Sequence, residues 1–245
     1  LFDLRNVSMV AIGIKAHHFI PEIERNEPSD LKVIPSLVLN LNNGGLGTEK
    51  IQEQALIWKE IPWIVYFPTL DSQAHINLTS ADVAYQTLGL TGSGGKFITI
   101  IKDNSALPEV IEIINVIDLL NKKTERGKII VATGHLSWQE VRILCEEALS
   151  RNITTIVTHP NQRHIKMPIA VQRELAKKGA WIEHCTIFLD PNQALPGAYS
   201  ALEILSQIRG VGIEQCFLSS DAGQKNNPYL PHEAMTMGLT MLKEA

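Results

Sequence analysis

Short runs of β-branched and aromatic residues alternate along the chain with longer stretches in which apolar residues recur at helical spacing. That alternation is the mark of repeated βα units, which build a parallel sheet covered by helices. Strand-like runs fall at residues 9–16, 33–39, 63–67, 128–133, 153–158, 180–183 and 215–220. They are nearly continuous in apolar character, as expected where both faces of a strand are covered. Pro35, inside the second run, suits a strand start better than a strand centre. Helical periodicity occupies residues 48–60, 107–122, 138–151, 169–178 and 198–209. Ser137 followed by Glu140 makes a capping box, and Gly127 and Gly179 stand where helices should end.

Residues 71–105 break the rhythm. Gly92, Gly94 and Gly95 lack the GK[ST] of a phosphate-binding loop and open no helix, so they read as a hairpin turn before the apolar run 97–101. A small β-hairpin inserted after the 63–67 strand is therefore expected, at a place where barrel enzymes shape substrate pockets. A chain of 245 residues is close to the roughly 250 of one (β/α)8 TIM barrel, and one domain over residues 1–245 is expected. Seven strands are counted where a barrel needs eight. The chain opens at Leu1 without a methionine, on what reads like the tail of a helix, so the first βα unit is expected to precede it. On that count the inserted hairpin follows strand 4.

Composition narrows the function classes. Hydrophobic residues make up 44% and charged residues 20%, as in an ordinary globular protein. A formal net charge of −4 with scattered lysines and arginines leaves no footprint for nucleic acid. The longest apolar runs are too short to cross a bilayer, and no secretory signal is visible, so no membrane partner is expected. Cys145, Cys185 and Cys216 have no CxxC spacing. They read as small hydrophobes in a reducing cytoplasm rather than as a disulfide framework or a zinc site.

The polar residues that end the strands change the picture most. His17 and His18, His135, His159, His184 and Asp221 each follow a strand-like run. The carboxyl ends of barrel strands converge on one face, so residues remote in sequence meet in one bowl. Neutral imidazoles and a carboxylate suit zinc or a similar divalent ion, which lowers the pKa of a bound water toward ~7. His135, His159, Asp221 and His17 are the expected ligands, with Asp221 also a candidate base. Glu183 and His184 project to opposite sides of their strand, as do His17 and His18, so only one of each pair faces the pocket. His184 and His17 are taken as those members. Lys15 either orients a substrate anion inside the barrel or forms half of a structural ion pair. Asn40, Asp71 and His75 are weaker candidates for substrate contact, while His164 and His232 read as surface or supporting residues.

The order His135, His159, Asp221 resembles the amidohydrolase superfamily. More narrowly, the chain resembles an uncharacterised bacterial and archaeal amidohydrolase-like family of the DUF6282 type. The matching stretches are Lys15-Ala-His-His18, Leu37-Val-Leu-Asn40 with Gly44-Gly-Leu46, and Pro68-Thr-Leu-Asp71. They continue through Ala132-Thr-Gly-His-Leu-Ser137, Val157-Thr-His-Pro160, Ile182-Glu-His-Cys185 and Leu218-Ser-Ser-Asp-Ala-Gly-Gln224. The resemblance implies a metal-dependent hydrolase in which strands five and six each supply a histidine and strand eight an aspartate. Two features of that pattern are missing here: the His-x-His of strand one and the bridging lysine or glutamate of strand four. One ion is therefore expected ahead of two.

These readings converge on hydrolysis of a small polar substrate, with a C–N bond (amide, cyclic amide or amidine) first by family analogy and a phosphoester second. Two rivals are a metal-free lyase using Lys15 as a Schiff base and a degenerate barrel that only binds. An open sheet edge would also invite assembly into a homo-oligomer.

Overall fold

A computed structural model of the protein describes residues 34–80, 86, 96–190, 199–222 and 229–245. Six strands form one parallel sheet: β1 (Ser36–Val38), β2 (Trp63–Tyr66), β5 (Ile129–Ala132), β6 (Thr155–Val157), β7 (Trp181–Cys185) and β8 (Cys216–Ser219). Between them run α1 (Glu49–Ile57), α2 (Gln73–Thr79), α3 (Pro108–Lys122), α4 (Trp138–Leu149), α5 (Ile169–Lys177) and α6 (Ala201–Val211), with α7 (Pro231–Glu244) last.

The spatial order β1-β2-β5-β6-β7-β8 follows the chain order without reversal. A doubly wound sheet reverses its order at a switch point, and none occurs here. Right-handed crossovers in one direction put all helices on one face, the winding of a (β/α)8 barrel. The described strands form an open arc of that barrel, and the expected 9–16 strand lies outside the described residues.

Side-chain alternation divides the sheet. Trp63, Val65, Ile129, Val131, Val157 and Ile182 are buried in the main core with the inner stripes of the helices, such as Val110, Ile113, Ile117, Leu144 and Leu175. Each fully buried side chain of this size contributes about 1.5–3 kcal/mol relative to exposure. The opposite alternation, Ser36, Ile64, Tyr66, Ile130, Ile156 and Glu183, lines a concave cavity of about 530 Å³.

The small hairpin is present after the Trp63–Tyr66 strand as expected, with its turn further along the chain than the glycines. It pairs β3 (Ile101–Lys102) with β4 (Ser105–Ala106). Its turn is Asp103-Asn104, both with positive φ, of 50° and 58°. Asp and Asn tolerate that conformation best among residues with a side chain, which is why they make the turn. The glycines at 92–95 lie outside the described residues. Ile98 instead bridges in parallel to Ser72. Two helices were absent from the periodicity reading, α2 and α7. The seven residues of α2 span barely two turns, too few for an apolar period to show.

A candidate metal centre at the strand ends

The carboxyl ends of neighbouring strands are joined by side chains beyond the last backbone rung. Asn40, after β1, accepts from the Thr69 amide at 2.9 Å and donates to Thr69 Oγ1 at 2.8 Å. Asp71 is 1% exposed, and its Oδ2 accepts from the Leu41 amide at 2.8 Å. These two expected substrate contacts thus have partners that fix the loops after β1 and β2. Further round, the Thr158 amide donates to Thr133 Oγ1 at 3.0 Å and the Gly134 amide donates to Thr158 Oγ1 at 3.2 Å.

Gly134 has φ +61°, and a Cβ there would meet the Phe67 carbonyl oxygen at 2.3 Å. Only glycine allows that approach. The turn brings the His135 amide to 3.0 Å from the Pro68 carbonyl. His135 is thereby delivered beside α2, which carries His75. Ser72 caps that helix by accepting from the His75 amide at 3.1 Å, the ordinary task of an N-cap serine.

His159 follows β6 with φ +26°, an uncommon backbone for a residue of its type. A compact turn returns from it: the Gln162 amide donates to the His159 carbonyl, the Ile165 and Lys166 amides donate to the Gln162 carbonyl, and the Met167 amide donates to the Pro160 carbonyl. His164 is folded back by this turn onto the other histidines.

Four imidazoles result from this packing. The Nδ1 atoms of His75 and His135 are 2.9 Å apart. The His135 ring centroid lies 4.6 Å from that of His164 and 4.9 Å from that of His159. His75 and His164 are 5.3 Å apart by the same measure. One ring nitrogen from each of His75, His135 and His164 falls within 4.8 Å of the others. Neither nitrogen of His164 has a hydrogen-bond partner among the described residues. Burial first, then the neighbouring His159 and His75, hold its pKa well below the ordinary value. A neutral, half-buried imidazole with buried and unused nitrogens, set against two more imidazoles, fits a divalent ion such as zinc.

The structure brings His135 and His159 together and adds His75, expected at the substrate, and His164, expected at the surface or in a supporting role. Asp221 is placed differently. Its φ is +52°, and it lines the concave cavity with Glu183, Ser219 and His232. It does not belong to the group within 4.8 Å of one another. The alternation at β7 puts Glu183 on the cavity and turns His184 toward the helix layer. His184 is 1% exposed, neither of its nitrogens has a partner among the described residues, and burial pushes its pKa down to about 4. Glu183 accepts from Ser219 Oγ at 2.7 Å, and Ser219 Oγ lies 3.2 Å from Cys185 Sγ. Tyr199 lies near this group. Burial raises its pKa well above the ordinary value, helped by Cys185, Asp221 and Glu183. Phe188 stands between the two clusters, with its ring 6.2 Å from His159 and 5.8 Å from Tyr199. Lys15, His17 and His18 lie outside the described residues.

A signal for His164 was available in the sequence. Pro160 starts a turn directly after His159, and a second histidine a few residues later is within reach of the same rim. The signal for His75 was weaker, a Ser72 cap opening a short helix.

Among solved structures, the organophosphorus hydrolase from Deinococcus radiodurans is similar at 13% identity, covering 96% of this chain and 75% of that one, with a TM-score of 0.42. A triply substituted form of that enzyme is similar at 14% identity, with coverage of 98% and 75% and a TM-score of 0.42. A third structure, from the engineering of organophosphate hydrolysis activity from a weak promiscuous lactonase template, has 13% identity, coverage of 97% and 77%, and a TM-score of 0.42. No curated protein matches the chain. The chain belongs to the family of unknown function DUF6282, which it matches over residues 2–183.

Proposed function

We propose that the chain is a metal-dependent hydrolase, one barrel domain over residues 1–245, with its metal centre at His75, His135 and His164 and with His159 against them. The observation that carries this reading is the approach of three ring nitrogens to within 4.8 Å of one another at strand ends. A divalent ion there, zinc first for an all-imidazole donor set, would supply a water that ionises near neutral pH. The part left to the protein is to keep the imidazoles neutral and in place, which the burial of His75 and His159, each 2% exposed, supports. Asp221 keeps the candidate base role on the strand-end order alone, since it lines the concave cavity and is not one of the clustered histidines' group. Glu183 takes the pocket-lining role expected of His184.

The substrate is a small polar molecule, and the bond is C–N by the amidohydrolase resemblance, with a phosphoester second. Cys145, Cys185 and Cys216 are all free thiols, which supports a reducing cytoplasm. No helix among the described residues is long and apolar enough to cross a membrane.

The test is metal analysis of the purified chain after repletion, followed by a panel of amides, cyclic amides and phosphoesters. Stoichiometric ion and turnover of one class are expected. Ion well below one equivalent, with no change in thermal stability on adding metal, would overturn the reading. Borohydride trapping at Lys15 would favour the lyase instead.

A further inference from the structure

We infer that Ser72 is the positioning residue that sets the separation of His75 and His135, a role that deepens the metal-centre reading and rests on it. The Ser72 hydroxyl accepts from the His75 amide at 3.1 Å and donates to the His135 carbonyl at 2.6 Å. One oxygen therefore holds the backbones of both histidines whose Nδ1 atoms meet at 2.9 Å. Ser72 is fully buried, so water does not compete for either bond.

Its own backbone is held from three sides. Its amide donates to the Thr69 carbonyl, its carbonyl accepts from the Ile76 amide, and it bridges to Ile98. The adjoining strap is anchored in turn: the Ile98 amide donates to the Asp71 carbonyl and the Gln73 amide donates to the Ile98 carbonyl. Capping alone would use the hydroxyl only as an acceptor. The donated bond to His135, on a different strand, is the feature that capping leaves unexplained.

The experiment compares Ser72→Ala, Ser72→Gly and Ser72→Thr with the parent chain. Gly is nearly as good an N-cap as Ser, so Ser72→Gly removes both side-chain bonds while sparing the helix start. Thr keeps the hydroxyl and should restore the parent behaviour. Ser200→Ala removes a comparable cap from α6, where Ser200 accepts from the Glu203 amide at 3.2 Å, and serves as the control.

Two readouts are taken. In metal-free protein, imidazole NMR should show a hydrogen-bonded Nδ1 proton shared by His75 and His135 that disappears in Ser72→Ala and Ser72→Gly alone. In the metal-loaded protein, chelator competition with zinc should show affinity lower by about 10–100-fold in the same two variants, the usual loss when a group that orients a ligand is removed. Persistence of the shared proton in Ser72→Gly, or an equal loss in Ser200→Ala, would overturn the role of Ser72. If the parent chain binds no zinc but its shared proton still depends on Ser72, the metal-centre reading fails and the positioning role stands.

Discussion

His75 and His135 meet nitrogen to nitrogen, Nδ1 to Nδ1 at 2.9 Å, with their rings stacked at 28°. Such a contact requires one ring to donate and the other to accept, so the pair is held in complementary tautomers. An ion would replace the shared proton as the group both nitrogens face. His135, like His164, has ring contacts with all three other histidines of the cluster. His135→Ala should therefore weaken zinc binding by at least about 100-fold, more than loss of an orienting neighbour does. His184→Ala should leave binding intact. Metal content after dialysis against a chelator separates the two.

Gly134→Ala tests the close strand crossing. Its Cβ would lie 2.3 Å from the Phe67 carbonyl oxygen and 2.7 Å from that of Pro68, at φ +61°. Both the clash and the backbone conformation oppose it. A loss of about 2 kcal/mol or more is expected, read from the denaturant midpoint at unchanged slope.

Glu140 is 4% exposed and its carboxylate accepts from the Ser137 amide at 3.0 Å, Ser137 Oγ at 2.7 Å, Thr99 Oγ1 at 2.9 Å and the Ile100 amide at 3.0 Å. It closes a capping box and also pins the inserted strand to the start of α4. Glu140→Ala leaves one buried and one half-buried amide short of their acceptor, at a cost of about 2–4 kcal/mol. Proteolysis within the inserted segment 96–106 should rise with it, and an unchanged cleavage rate would count against the pinning role.

His184 makes stability depend on acid. Burial holds its pKa near 4, against an ordinary 6.5. Above pH 6.5 the ring is neutral whether the chain is folded or not, and its contribution is fully present. Between pH 6.5 and 4 the unfolded chain binds a proton that the folded chain does not, so stability falls as pH falls. Below that window the loss is complete, at about 3 kcal/mol. His184→Leu should flatten this part of the profile relative to the parent. Equal slopes in the two proteins would show that other groups carry it.

The strands and most helices were legible because apolar periodicity reports burial directly. Ser36–Val38, Trp63–Tyr66 and Ile129–Ala132 fall within the runs that pattern marks out. His135 and His159 could be singled out as strand-end residues for the same reason. His75 and His164 left weaker signals, since one rides a helix too short to show a period and the other reaches the cluster only through a turn closed by backbone hydrogen bonds. Parity along β7 left Glu183 and His184 as alternatives, and only the folded sheet, which puts Glu183 on the cavity, decides between them. Asp221 obeys the strand-end rule and lines the concave cavity, outside the group of three histidines within 4.8 Å of one another.

The hydrogen bonds that run from Asn40 to Thr69, from Pro68 and Ser72 to His135, and from Gly134 to Thr158 next to His159 leave no loose joint along this side of the rim. The loops here are stitched edge to edge like the hoop of a cask. Asn40 and His159, far apart along the chain, are thus tied together by bonds between successive strand ends.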